Sequence, residues 1–405
     1  VLQMMMTSRK KKKIYEAVDY SKTLIIISGN LDDAFTMAYE TSEADVDADI
    51  FHAYTEKITM VDIKQSLSRR FKPEQVARFG NIHLVYKSLR RQHFEALITQ
   101  EIDKIIFKNK DLFGVTLKIT KNINQLIYQN GVFPVQGVRP VFSSVIDILE
   151  SNLAKFLYEA FMNQQLELDI DYDFEKKEIS AVYGNGRLIT TPYMGRIDQI
   201  RQGNLADVVA NVSVHEAGHA VVYGLLFGLA PLQLKSKVAS NYVGGFTFPH
   251  QIYQTKQNLL NKVKVLLAGG LAEEAIFGES HATIGRSHDR EQMGAVIAEY
   301  IRAYGFDPDF QSYYIGSDGA RMDVYVTDKA VEALTQQLVK ETREMLTKND
   351  DFLLEVSKLL YIQGNLSSHT IAKIAEKYQI TLTVKEENYM YISNYEAMLN
   401  GRTGK

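Results

Sequence analysis

The sequence predicts a multidomain chain: a partial α/β core, then an α+β segment, then a mostly α-helical domain built on an HExxH motif. Three observations carry that prediction. The β-branched run at residues 24–27 leads to the pair Gly29-Asn30, as a buried strand does where its polar tip emerges at the end of a sheet. Apolar residues at helical spacing between positions 92 and 157 give way to strict alternation from position 166. Residues 212–224 read VSVHEAGHAVVYG, which places two histidines four positions apart on an apolar helix.

With 405 residues, the chain has room for two or three domains with real cores, and 45% apolar with 23% charged residues is ordinary globular usage. The formal net charge of -3 argues against a dedicated nucleic-acid binder or a basic membrane-surface protein. With 0 Cys there is no disulfide framework and no thiolate ligand, so any metal site must use His, Asp or Glu. No apolar run approaches the roughly eighteen residues of a membrane span, and no secretory signal is visible. The chain opens on Val1 without an initiator methionine and reads as a fragment, so membrane anchoring is expected only through sequence upstream of it.

Taken in order, the basic run RKKKK at residues 9–13 reads as a solvated loop and the acidic stretch 39–49 as a surface insertion. Residues 71–86, FKPEQVARFGNIHLVY, give a Pro-led helical turn followed by a short strand. Helices are expected over 92–107 and 123–130, with a third after Pro140 that buries Val145, Ile148, Leu149, Leu153, Phe156 and Leu157. LELDIDY at 166–172 alternates as a strand, and 178–188 reads as its return around Gly184-Asn185-Gly186. Residues 190–203, with Pro192, Gly195 and Gly203, form the best linker.

In the histidine helix, Val208, Val212, Ala217, Ala220, Val221 and Leu225 make a buried stripe. His215 and His219 then lie one above the other, and neutral imidazole is a preferred zinc ligand. Glu216, directly after the first histidine, stands where it can take a proton from water. The bland alternative is a core helix with two hydrogen-bonded histidines, which are costly to bury without a charge to coordinate. Beyond this helix, YVGGFTFP at 242–249 reads as an edge strand bounded by Pro249, able to pair with an extended peptide. A long helix over 257–277, interrupted at Gly269-Gly270, is followed by a loop at 281–286 and by a helix over 287–304 capped by Ser287. Chemistry alone leaves the third zinc ligand open among Glu273, Glu274, His288 and Asp289.

Two resemblances extend this reading. The segments VLQ, VDYSKTLIIISGN, FKPEQVARFGNIHLVY and GVFPVQGVRPVFSSVIDILESNLAKFLYEAF resemble the second half of an AAA+ ATPase module of the Clp/Hsp100 disaggregase type. That resemblance implies that Asn30 is the sensor-1 residue, Arg78 the arginine finger and Arg139, in Gly-x-Arg-Pro, the sensor-2 arginine. Arginines in those places suit phosphoryl transfer, which needs positive charge on the developing phosphate oxygens. No G-x-x-x-x-G-K-[ST] loop occurs, so ATP and Mg2+ are expected only in the complete protein.

HEAGHAVV, LLAGGLAEEAIFGE and TIGRSHDREQMGAVIAEYIRAYGF resemble, in that order, the peptidase domain of FtsH-type ATP-dependent zinc metalloproteases. The resemblance runs from about residue 208 to 380 and includes helices at 328–347 and 351–361. It implies zinc held by His215, His219 and Asp289, with Glu273 near the metal. The chain departs from the family at Gly270, where an arginine is usual, and at His288, where an asparagine is usual, so His288 is a spare or supporting ligand in this reading.

The expected organisation is therefore the C-terminal part of an AAA+ large subdomain at 1–86, a small lid subdomain at 87–190, a linker at 191–203, a zinc peptidase domain at 204–380 and a tail at 381–405. The families imply a homo-hexamer, in the cytoplasm or on the cytoplasmic face of a membrane, that unfolds and cleaves unfolded or tagged proteins. Nucleic acid is not an expected partner. The alternatives are an ATP-independent zinc peptidase with a glutamate ligand and a non-proteolytic chaperone or scaffold.

Overall fold

The computed structural model describes residues 46–79, 83–195, 205–238, 244–312, 325–385, 390–391 and 394–403, together with 3–4, 22–24, 26, 28–29 and 199. Asn30, the basic run at 9–13, most of the strand expected before Asn30 and most of the expected linker lie outside the described residues. The chain divides into two compact units, one of residues 1–36 and 59–82 and the other of 37–58 and 83–405.

The first helices are α1 (Ala48–Glu56), α2 (Met60–Arg70) and α3 (Pro73–Arg78). Within the first unit, Thr59 and Asp62 form a reciprocal capping box at the start of α2, satisfying two backbone donors that the helix cannot pair itself. Pro73 opens α3 at the position where its missing N–H costs nothing.

In the second unit, α4 (Arg91–Phe113) buries Phe94, Ile98, Ile102 and Ile105, spaced four, four and three apart on one face. Next come β1 (Thr116–Ile119), α5 (Lys121–Gly131) and α6 (Arg139–Val145), which runs through a π-helical turn at Ile146–Glu150 into α7 (Ser151–Met162). The strands β2 (Glu167–Asp173), β3 (Glu178–Tyr183) and β4 (Leu188–Pro192) follow. The sheet order is β1-β2-β3-β4, parallel between β1 and β2 and antiparallel beyond. Leu168, Ile170 and Tyr172 alternate inward from β2 onto the core of α4, α5 and α7. The return after β2 is β3, which turns at residues 184–187 into β4, and Tyr183 and Arg187 close the turn through a backbone hydrogen bond.

The second half is mostly helical. Helix α8 (Ala206–Phe227) leads to β5 (Gln233–Lys235) and β6 (Phe246–Phe248). Helices α9 (Lys256–Phe277), α10 (Ser287–Arg302), α11 (Tyr325–Lys348) and α12 (Asp350–Gln363) then precede β7 (Asn365–Ser367) and α13 (Ser368–Lys377). The small antiparallel sheet has the order β6-β5-β7, which leaves β6 at an edge. Helix α9 is continuous through Gly269-Gly270, because packing on α8 outweighs the low helix propensity of the two glycines. Ser287 is the first residue of α10 rather than its cap.

Helices α8 and α9 touch at Gly218, where a Cβ would lie 2.6 Å from both the Ala268 carbonyl oxygen and Ala272 Cβ. Leu382, beyond the last of these helices, is buried in the same core as Val221 and Ala272. Helix α1 also belongs here: its Phe51, with Val46 just before the helix, packs with Phe246 of β6 and with Val238 beyond β5, while Ala48 joins the core of α4 and β2. The Gln233 amide oxygen accepts from the Asp47 backbone N–H at 3.1 Å, and Asp49 accepts from that of Arg91 at 2.9 Å. No helix among the described residues is long and apolar enough to cross a membrane.

Candidate metal centre

The spacing of His215 and His219 on α8 brings their rings to a centroid separation of 4.7 Å and their Nε2 atoms to 3.1 Å. From the first turn of α10, Asp289 Oδ2 closes the group at 3.0 Å from His215 Nε2 and 3.3 Å from His219 Nε2. Tetrahedral ligands at bond lengths of about 2.0–2.1 Å are about 3.3 Å apart, so this triangle has the dimensions of three corners of a zinc site. Among the described residues these three form the group of side chains able to hold a metal ion.

The outer ring nitrogens fix the tautomers. His215 Nδ1 donates to Glu273 Oε1 at 2.6 Å, and His219 Nδ1 donates to the Val265 carbonyl at 2.7 Å. In the neutral rings both Nε2 atoms are then bare lone pairs facing each other and a carboxylate, an arrangement that repels unless a cation lies between. Glu273 is fully buried on α9, and its second oxygen accepts the Thr283 N–H at 2.8 Å. One carboxylate therefore holds the first histidine and the loop that delivers Asp289.

The electrostatics agree. Burial alone lowers the pKa of His215, but Asp289 and Glu273 outweigh it and push the imidazole up to about 10. Burial also works against charge on His219, and Asp289 reverses it, leaving that pKa raised. Burial raises both carboxyls, yet the histidines hold Asp289 well below the usual carboxylate range, and His215 with the Thr283 N–H brings Glu273 to about 2. The carboxylates around the two rings favour positive charge between them, and a divalent cation supplies it while leaving the rings neutral. The donor set of two imidazoles and a carboxylate fits zinc, with a coordination position left for water or substrate.

Space for the ion comes from Gly269 on α9, where a Cβ would lie 2.5 Å from His219 Nε2 and 2.6 Å from His215 Nε2. Glu216 is 8% exposed and stands beside the group rather than in it. Its Oε2 accepts the Thr247 hydroxyl of β6 at 2.8 Å.

The remaining expected residues fall elsewhere. His288 is exposed, contacts Gln292 and Glu291, and does not belong to the triangle. Glu274 accepts from Arg286 at 2.7 Å and from Arg343 at 3.0 Å, which commits its carboxylate to two guanidiniums. Glu273 meets the outer nitrogen of His215, not the converging one. Arg78, at the end of α3, and Arg139, at the start of α6, are both exposed and lie in different units. Sequence reasoning passed over the Val265 carbonyl and Thr247. A carbonyl leaves no trace in a sequence, whereas the Gly244-Gly245 pair before Phe246 was a legible hint of close approach at β6.

Comparison with known proteins agrees on the second half of the chain. Residues 208–374 match the model of peptidase family M41. An ATP-dependent zinc metalloprotease FtsH of Lachnoclostridium phytofermentans is 33% identical over 172 residues, covering 40% of this chain and 29% of the relative. FtsH 1 of Alkaliphilus metalliredigens is 30% identical over 180 residues, 41% of this chain and 29% of the relative. The chloroplastic FTSH 1 of Arabidopsis thaliana is 28% identical over 172 residues, with 37% and 24% covered. The chain thus spans between 24% and 29% of the length of these curated relatives.

Proposed function

Since residues 208–374 carry an FtsH-type peptidase domain of family M41, we propose that this protein hydrolyses peptide bonds in unfolded polypeptides with zinc held by His215, His219 and Asp289. The observation that supports it most is the convergence of two histidine Nε2 atoms and one carboxylate oxygen, each histidine being fixed from behind. Zinc, when bound, supplies Lewis acidity, making water nucleophilic at neutral pH and polarising a carbonyl.

The chain's own residues do the rest. Glu216, adjacent in sequence to one ligand and on the same helix, takes the proton from water and delivers it to the leaving amine. Glu273 keeps His215 in the tautomer that turns Nε2 to the metal. The edge strand β6 offers backbone groups to an extended peptide, a mode that tolerates many side chains.

The resemblance of the first half to a Clp-type AAA+ module supports a second layer of the proposal. In the complete protein, ATP and Mg2+ drive unfolding in a homo-hexamer, with Asn30, Arg78 and Arg139 sensing nucleotide and the peptidase working in the cytoplasm or on the cytoplasmic face of a membrane. The substrates are unfolded or tagged proteins.

The test is cleavage of casein by the full chain with and without a chelator. Cleavage that stops on chelation and returns with zinc is the expected result, and Glu216→Gln should abolish it while zinc content stays parental. Chelator-insensitive cleavage, or full activity in the variant, sinks the mechanism. Polypeptide binding without cleavage would favour the scaffold reading.

A further inference from the structure

We propose that Thr247 is a positioning residue for Glu216, through which the edge strand β6 sets the carboxylate beside the metal centre; the proposal rests on the hydrolytic reading above. Thr247 pairs with Leu234 across the small sheet, and Leu234 is fully buried in the core that includes Val214 and Ala217 of α8. The side chain at 247 is thereby turned to α8, while its neighbours Phe246 and Phe248 pack with Val46, Phe51 and Val238.

The hydroxyl finds two acceptors on one residue: Glu216 Oε2 at 2.8 Å and the Glu216 backbone oxygen at 3.0 Å. A threonine hydroxyl has one hydrogen to give and lone pairs to receive another. One side chain thus holds Glu216 at both its carboxylate and its backbone, and fixes where the carboxylate stands relative to His215 and His219 on the same helix.

The approach is close because Gly245 has no side chain. A Cβ there would lie 2.5 Å from Val212 Cγ1, 2.6 Å from the Lys235 carbonyl oxygen and 3.1 Å from Glu216 Cγ. The edge that would receive a peptide and the group that would move its proton are thus joined by a single side chain.

The experiment compares the full chain, loaded with zinc, with its T247V, T247S and T247A variants. It measures kcat and KM on a quenched-fluorescence unfolded peptide, together with zinc content and melting temperature. Valine keeps the shape and loses the hydrogen bonds, so T247V should lose roughly 10- to 100-fold in kcat with KM and zinc content unchanged, as expected when a proton-transfer group is misplaced. T247S should recover most of that loss. Should T247V fail to fold, the serine and alanine variants carry the same comparison.

Parental kcat in T247V, an equal loss in T247S, or a loss that follows zinc content would overturn the role of Thr247 alone. An absence of chelator-sensitive cleavage in the parent would overturn the hydrolytic reading and this assignment with it.

Discussion

Glu273 shows how much one side chain settles. Its carboxylate is fully buried and accepts the His215 Nδ1–H on one oxygen and the Thr283 N–H on the other. Glu273→Gln keeps the size but presents an amide of reduced basicity, and zinc affinity should fall about 10- to 100-fold, the usual cost of losing such an outer partner. Competition with a metallochromic chelator measures it, and parental affinity would refute the role. His250 carries the opposite electrostatics. Its Nδ1 accepts from the Tyr223 hydroxyl at 2.9 Å, its Nε2 donates to the Lys385 carbonyl at 2.8 Å, and burial lowers its pKa. A folded-state pKa below the unfolded value of about 6.5 contributes stability above that pH, which is lost as pH falls through the folded value. Melting temperature should therefore drop on acidification, and His250→Gln should flatten the drop. Equal acid sensitivity in the variant would remove His250 as the cause.

Among the elements, the pair α8 and α9 governs the site, since α8 presents both histidines and Glu216 while α9 supplies Glu273, the Val265 carbonyl and the gap at Gly269. Their separation is set at Gly218. Gly218→Val should force the helices apart and cost about 1–3 kcal/mol, with loss of zinc, as overpacking does. Denaturant titration with a zinc assay tests it, and an unchanged midpoint would show that the contact is slack. Periodicity made these helices legible, because apolar residues at three- and four-residue spacing leave a strong imprint. So too for α4, whose buried phenylalanine and isoleucines share one face. The spacing of His215 and His219 likewise announced a shared face. Asp289 was reachable only through family resemblance, since it is 74 residues beyond His215 and several carboxylates had equal chemical claims. Four-residue β1 was illegible, since its partner β2 lies some fifty residues further on. The π-turn and the continuity of α9 through its glycines depend on packing that no local pattern records.

For the whole molecule, the second half does not fold around its own residues alone. Helix α1 lays Phe51 on Val238 and Phe246, beside Val46 just before the helix, and puts Ala48 into the core shared by α4 and β2. Removing everything before residue 205 would bare Phe246 and Val238, and each buried side chain of this size is worth about 1.5–3 kcal/mol. The truncated domain should melt at lower temperature and self-associate in size-exclusion chromatography, and a monomer with the parental melting temperature would contradict this. A nine-residue segment is thus a tenant of two cores at once. Recombination that transplanted the second half onto a different partner would leave this helix behind, so the module is less portable than its family match implies. Exchange of the flanking sequence in descent must either keep this apolar plug or replace it with another of the same shape.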